Sequence, residues 1–180
     1  MDAIEIRRLK HGDESEYRRT HLRSLEVYPD HFGTLFEEQS AKPRLQFEDF
    51  VQNSDPDNFI FGAFCDTELA AIAGFRRGDR QKTRHRGEIV QVFVDPHLQG
   101  RNIGESLLRA VIQAAFSIPG IESLELSLVA DNEKAERLYK KVGFETYGIR
   151  HGYFKQGDQS WDQRFMEMSK ETYFAKMSSN

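Results

Sequence analysis

The chain has 180 residues and a formal net charge of −4, a length that suits one compact domain with a sizeable core and is short for two. The acidic balance gives no reason to expect nucleic acid or an anionic membrane as partner, and weakly favours cationic ligands. A lone cysteine, Cys65, excludes an intramolecular disulfide framework.

Residues 1–180 are therefore read as a single domain. The opening MDAIEIRRLK has an early acid and no apolar run of signal-peptide length, and no segment approaches the ~20 apolar residues of a membrane span. A cytoplasmic protein without a membrane partner is expected.

In chain order, a short strand is predicted at IEIRRL. After His11-Gly12 and the cap-like Asp13, a helix runs to about Val27 and is closed by Tyr28-Pro29. DHFGTLFEEQSAKPR has mixed character, and a second helix is expected over LQFEDFVQN before the turn signal SDPDN. NFIFGAFC and ELAAIAGFRR, separated by Asp66-Thr67, read as a hairpin. Cys65 ends the first of these apolar runs, a setting for a buried structural thiol rather than a reactive one. RRGDRQKTRHR lacks interleaved aromatics and reads as a solvated loop leading to a third strand, GEIVQVFVD.

Ile103, Leu107, Leu108, Val111, Ile112 and Ala115 then recur at helical spacing, up to Pro119-Gly120. Leu124, Leu126 and Leu128 alternate with Glu125 and Ser127 as in a strand. A helix over about 132–141 ends at Gly143. Two more strands, about 145–154 and 161–168, flank KQGDQS. The order is strand, two helices, three strands, helix, strand, helix, two strands, which makes the class mixed α/β. The strand-helix-strand unit from Glu88 to Val129 predicts a parallel pair by a right-handed crossover, and ligands favour the carboxyl ends of such strands.

At that end lies VDPHLQGRNIGESLLRA. A glycine-containing turn feeding a helix exposes backbone N–H groups without intrahelical partners, and the helix dipole adds partial positive charge. An anion would be stabilised there, although a plain strand-to-helix turn needs glycine for its geometry alone. No Gly-Lys-Ser/Thr follows, so this is not a P-loop, and the spacing of Gly100 and Gly104 is not that of a dinucleotide fold.

A second motif, NEKAERLYKKVGFE, follows one strand later. Together the two resemble the signature of the GNAT family of N-acetyltransferases. That signature is Gln/Arg-x-x-Gly-x-Gly/Ala and then, some thirty residues on, Asn-x-x-Ala-x-x-Leu-Tyr-x-x-x-Gly-Phe. Gln99, Gly104, Asn132, Ala135, Leu138, Tyr139, Gly143 and Phe144 match in order.

The resemblance implies a mixed, mostly antiparallel sheet with flanking helices and a central pair of parallel strands that splay at their carboxyl ends. Acetyl-CoA, the cosubstrate, would lie in that wedge. Its pantetheine would pair along Val92, Phe93 and Val94, and its pyrophosphate would rest on the N–H groups of Gln99, Gly100, Arg101, Asn102, Ile103 and Gly104. Arg101 would add charge, and Asn132 would serve as helix cap and cofactor hydrogen-bond partner. Asn102 departs from the family glycine. Asn tolerates a left-handed backbone best among non-glycine residues, but its side chain could crowd the phosphates or donate its amide to them.

The implied reaction is attack of a primary amine on the thioester. At a lysine-like pKa, roughly one amine in 2,500 is neutral at pH 7, so a deprotonation route is needed. Glu88 falls where relatives resembling histone acetyltransferases carry a strand glutamate that acts as base, directly or through water. Tyr139 matches the tyrosine near the CoA sulfur and is the candidate acid. Proton transfer from a free tyrosine to a free thiolate is uphill by about 2 kcal/mol, so Tyr139 assists departure. An N–H near Val92 would stabilise the oxyanion.

The histidines show no metal-ligand spacing, so no metal is expected, and no serine lies in a nucleophile-elbow sequence. In the family, the first helices and the final hairpin carry acceptor specificity. Here Asp30, Glu37 and Glu38 could recognise a second positive charge, while Phe32, Phe36, Tyr153 and Trp161 could line an apolar pocket. A small-molecule amine is the first expectation for the acceptor. A peptide or protein amine, N-terminal or lysine, is second, and a non-catalytic acyl-CoA sensor is the rival. Relatives of this kind are often homodimers.

Overall fold

The fold comes from a computed structural model that describes residues 4–177. Met1, Asp2 and Ala3 of the amino-terminal stretch read above lie outside the described residues. The elements are β1 (Ile4–Arg8), α1 (Glu14–Val27), α2 (Phe36–Ser40), α3 (Gln46–Gln52), β2 (Asn58–Cys65), β3 (Glu68–Arg77), β4 (Arg86–Val94), α4 (Ile103–Ser117), β5 (Ser123–Val129), α5 (Glu133–Val142), β6 (Glu145–Gln156), β7 (Gln159–Ser169) and α6 (Lys170–Met177). Single helical turns at Pro29–His31 and Pro96–Leu98 follow α1 and β4.

Seven strands form one sheet in the order β1-β2-β3-β4-β5-β7-β6. Every neighbouring pair is antiparallel except β4 and β5, the parallel pair expected of the strand-helix-strand unit. That pair is short: Arg86, Gly87 and Glu88 face Ser123, Leu124 and Glu125, and no ladder continues beyond them. β4 nevertheless runs on to Val94 and β5 to Val129, so the two strands part into a wedge open at their carboxyl ends.

Apolar cores lie on both faces. Leu107, Leu108, Val111, Ile112 and Ala115 of α4 are at most 1% exposed, and they pack on Phe75, Ile89, Leu124, Leu126, Met166 and Met168. Truncating one such leucine to alanine costs about 2–5 kcal/mol, because the emptied volume refills only in part. On the other face Tyr17, Phe47 and Val51 of α1 and α3 cover Ile60, Ile72 and Phe93. β2 and β3 are buried on both faces, which explains why their sequences are near-continuous apolar runs.

Two helices are absent from the sequence reading. α2 has only five residues, too few for periodicity to register. Its start is held by Glu38, whose Oε2 accepts from Leu35 N at 3.3 Å and from Thr34 Oγ1 at 3.1 Å. α6 begins where Ser169 Oγ accepts from Thr172 N at 3.1 Å, and Tyr173 packs its ring 5.0 Å from that of Phe116. Among the described residues no helix is long and apolar enough to cross a membrane.

Candidate active site

β4 changes phase half-way along. Ile89 packs in the core under α4, and Val90 against the core under α1. Plain alternation would send Val92 after Val90, but Val92 and Val94 pack on the α4 side and Phe93 on the α1 side. The ladder to β3 explains it. Gly74 pairs with Val90 and Ile72 with Phe93, so Gln91 and Val92 together oppose Ala73. Gln91 is at φ +55, uncommon for a non-glycine residue. Tyr17, fully buried on α1, donates its hydroxyl to Gln91 Oε1 at 2.8 Å. Such a bulge withdraws backbone groups from the ladder and bends the strand, and here it sits just above the point where β4 leaves β5.

Beyond β4, buried Asp95 accepts from the His97 backbone at 3.3 Å and contacts its Nδ1 at 2.6 Å. Burial raises the Asp95 pKa, but hydrogen bonds from Arg23 and His97 outweigh it and hold the carboxyl below its ordinary value. The turn that follows has Gly100 at φ +79 and Asn102 at φ +58, ψ 14. Asn102 thus takes the left-handed backbone that a glycine would take, and its side chain makes no cap bond to α4. The first N–H groups of α4 lack intrahelical partners and carry the positive end of the helix dipole. The Gln99 N–H is spent on Pro96 O at 3.2 Å. At Gly104 a Cβ would lie 3.3 Å from Leu138 Cδ2 and 3.4 Å from Val94 Cγ2, so a small residue lets α4 approach α5 and β4 closely.

A cavity of about 760 Å³ fills the wedge and continues past it. Glu88, Val92, Phe93, Val94, Gln99, Gly100, Asn102, Ile103, Gly104, Asn132 and Tyr139 all line it; Arg101 does not and is exposed on the turn. The Gln99 side chain bridges the site, with Nε2 donating to Tyr28 Oη and to Val94 O and Oε1 accepting from Lys134 Nζ. Asn132 Oδ1 caps α5 by accepting from Ala135 N at 3.1 Å. Lys134, beside the α4 terminus in this cavity, was missed from sequence. Its signal was a lysine in the first turn of a helix, where the dipole disfavours a cation unless an anion is near.

Glu88 and Tyr139 approach the cavity from different elements. Glu88 is about one-third exposed on β4, and its Oε2 receives Arg76 Nη2 at 2.5 Å. Tyr139 on α5 is 8% exposed, and burial pushes its pKa up, which keeps the hydroxyl protonated. Part of the cavity wall is aromatic: Tyr28, whose hydroxyl meets Gln99 Nε2, with His31, Phe32, Tyr153 and Phe154. Phe36, Trp161, Asp30, Glu37 and Glu38, considered above as acceptor contacts, are not among the lining residues. Among the described residues no three or more His, Cys, Asp or Glu gather as a metal site would require.

Residues 24–144 match the model of the acetyltransferase (GNAT) family. The chain belongs to that family. N-alpha-acetyltransferase RimI of Mycobacterium tuberculosis is 35% identical over 102 residues, which is 57% of this chain and 61% of that relative. This GNAT chain thus spans about three fifths of that relative and under half of two others, an uncharacterized Mycobacterium leprae protein and a Mycolicibacterium smegmatis mycothiol acetyltransferase. The fold is shared with a GNAT acetyltransferase from Streptococcus pneumoniae at a TM-score of 0.78 and 21% identity, over 93% of this chain and 99% of that one.

Proposed function

We propose that the chain is an acetyl-CoA-dependent N-acetyltransferase, one domain over residues 1–180, that acetylates a primary amine of a small molecule. One observation carries the reading. The cavity between the parted strands joins the left-handed turn at α4, where an anion is stabilised, to Glu88 and Tyr139 at the same opening. Acetyl-CoA supplies an activated acyl group as its thioester.

The residues divide the work. The unpaired edge of Val92 to Val94 offers backbone groups to the two amides of pantetheine. The N–H groups at the start of α4, with Lys134, hold the pyrophosphate. The bulge at Gln91 turns a backbone N–H near Val92 toward the acyl oxygen, where charge develops. Glu88 takes the amine proton through a water, since Arg76 already occupies one of its oxygens. Tyr139 keeps its proton because of burial and donates a hydrogen bond to the departing sulfur.

The likeness to RimI favours a peptide amine as second reading. The acyl-CoA sensor is not favoured: the departure from the family signature that suggests it is Asn102, and that residue takes the backbone a glycine would take. The test incubates the purified chain with acetyl-CoA and a panel of amines, polyamines, amino acids and peptides, and follows free thiol. Release with a small amine supports the proposal. Release only with peptides favours the second reading, and binding without release from any amine favours the sensor. Failure to bind acetyl-CoA overturns all three.

A further inference from the structure

We infer that the acceptor is a primary amine on an uncharged aromatic or aliphatic body, with a neighbouring N–H or O–H that donates to Gln163 Oε1, and that it is not a polyamine. This rests on the acetyltransferase reading and names the substrate class for that site.

Charge decides the first half. Of the carboxylates lining the cavity, Glu105 is at the α4 end and is held by Lys141 and by Arg109 at 2.9 Å. Glu88 is the only other one among the described residues lining the cavity. Glu125, its register partner across the strand pair, is engaged by Arg86 at 3.1 Å and is not in the lining. Glu38 is turned to the backbone of its own helix. A second ammonium would lose its water with no counter-charge to receive it.

Shape agrees with charge. His31 stacks on Tyr28 with ring centroids 5.2 Å apart and planes at 10°. Desolvation pushes the His31 pKa down, so the ring is neutral at pH 7. Gly33 lies so close to Phe154 that a Cβ there would come within 2.7 Å of the ring. The loop after α1 and the β6-β7 hairpin therefore meet and narrow the mouth between aromatic walls.

Gln163 supplies the polar point. It is 9% exposed, lines the cavity from β7, and donates Nε2 to Ser127 Oγ at 3.0 Å. Its Oε1 is buried and has no hydrogen-bond partner. A buried carbonyl oxygen left unpaired is costly, and a ligand donor in the cavity relieves that cost.

The test measures coenzyme A release from acetyl-CoA with phenylalaninamide, phenethylamine, putrescine and spermidine. The aromatic amines are expected to exceed both polyamines in kcat/KM by about 10-fold or more, as a fully desolvated unpaired charge demands. Gln163→Leu should raise KM for phenylalaninamide about 10-fold more than it raises KM for phenethylamine, which has no second donor. Spermidine or putrescine as the better substrate overturns the inference while leaving the acetyltransferase reading intact. Equal losses with both aromatic amines remove the role of Gln163. Acetyl-CoA binding with no release from any amine ends both readings.

Discussion

The Tyr17 hydroxyl donates to Gln91 Oε1 at 2.8 Å, across 74 positions of sequence. It ties a fully buried helix residue to the one left-handed residue of β4. Tyr17→Phe keeps the ring and removes the donor. Stability should fall by about 0.5–1.5 kcal/mol in urea unfolding. Turnover should fall more than that loss alone implies, by roughly 10-fold, because the reacting groups depend on the bulge for alignment. An unchanged kcat would mean that the bulge holds its shape unaided.

Glu88→Gln should reduce kcat/KM most at neutral pH, by about 10²-fold, with the deficit shrinking as pH rises and more amine arrives already neutral. A deficit that stays constant from pH 6.5 to 9.5 would point to another base.

Tyr139→Phe removes a buried hydroxyl whose pKa is raised by desolvation. Turnover should drop by about 10²-fold while the Kd for acetyl-CoA, measured by calorimetry, stays put. A matching loss of affinity would make Tyr139 a packing residue.

Asn102 tests the turn. Asn102→Gly should keep acetyl-CoA affinity, since Asn already adopts φ +58, whereas Asn102→Ala should cost about 1 kcal/mol through its poorer fit to that region. Markedly tighter binding by the glycine variant would show instead that the asparagine side chain crowds the phosphates.

His21 sets an acid limit on stability. It is 4% exposed, and burial, with a smaller contribution from Lys42, lowers its pKa from 6.5 to about 4. Above pH 6.5 the ring is neutral folded or unfolded. As pH falls from 6.5 to 4 the unfolded chain binds the proton first, so stability declines across that window by up to about 3 kcal/mol. His21→Phe should flatten this part of the curve in urea titrations at pH 4.5 and 7. An equal fall in both proteins would remove His21 as the cause.

Most strands and long helices could be read from the sequence because they carry an apolar run, as β3 does, an apolar-polar alternation, as β5 does, or a helical face, as α4 does. The wedge was also legible, through two motifs whose resemblance to the GNAT signature implies it. The bulge at Gln91 was not, since no glycine or proline marks it and its latch, Tyr17, is supplied by a distant helix. Gln163 looked like one polar residue among many on a hairpin. Only the strand pairing puts it beside Ser127. The family resemblance suggested Asp30, Glu37 and Glu38 as contacts for a cation, but Glu38 is used locally and Asp30 and Glu37 are not among the lining residues.

The brevity of the β4-β5 ladder has a mechanical consequence. Three residue pairs, with His85 O accepting from Glu122 N at 2.8 Å and Ser123 N at 3.3 Å, join the backbone of β1-β4 to that of β5-β7. With a joint so narrow, it is the α4-side core, in which α4 packs on Phe75 and Ile89 of one half and on Leu124 and Met166 of the other, that holds the two halves of the sheet together. Amide exchange should therefore be fast on the facing edges of β4 and β5 beyond the ladder and slow at residues 86–88.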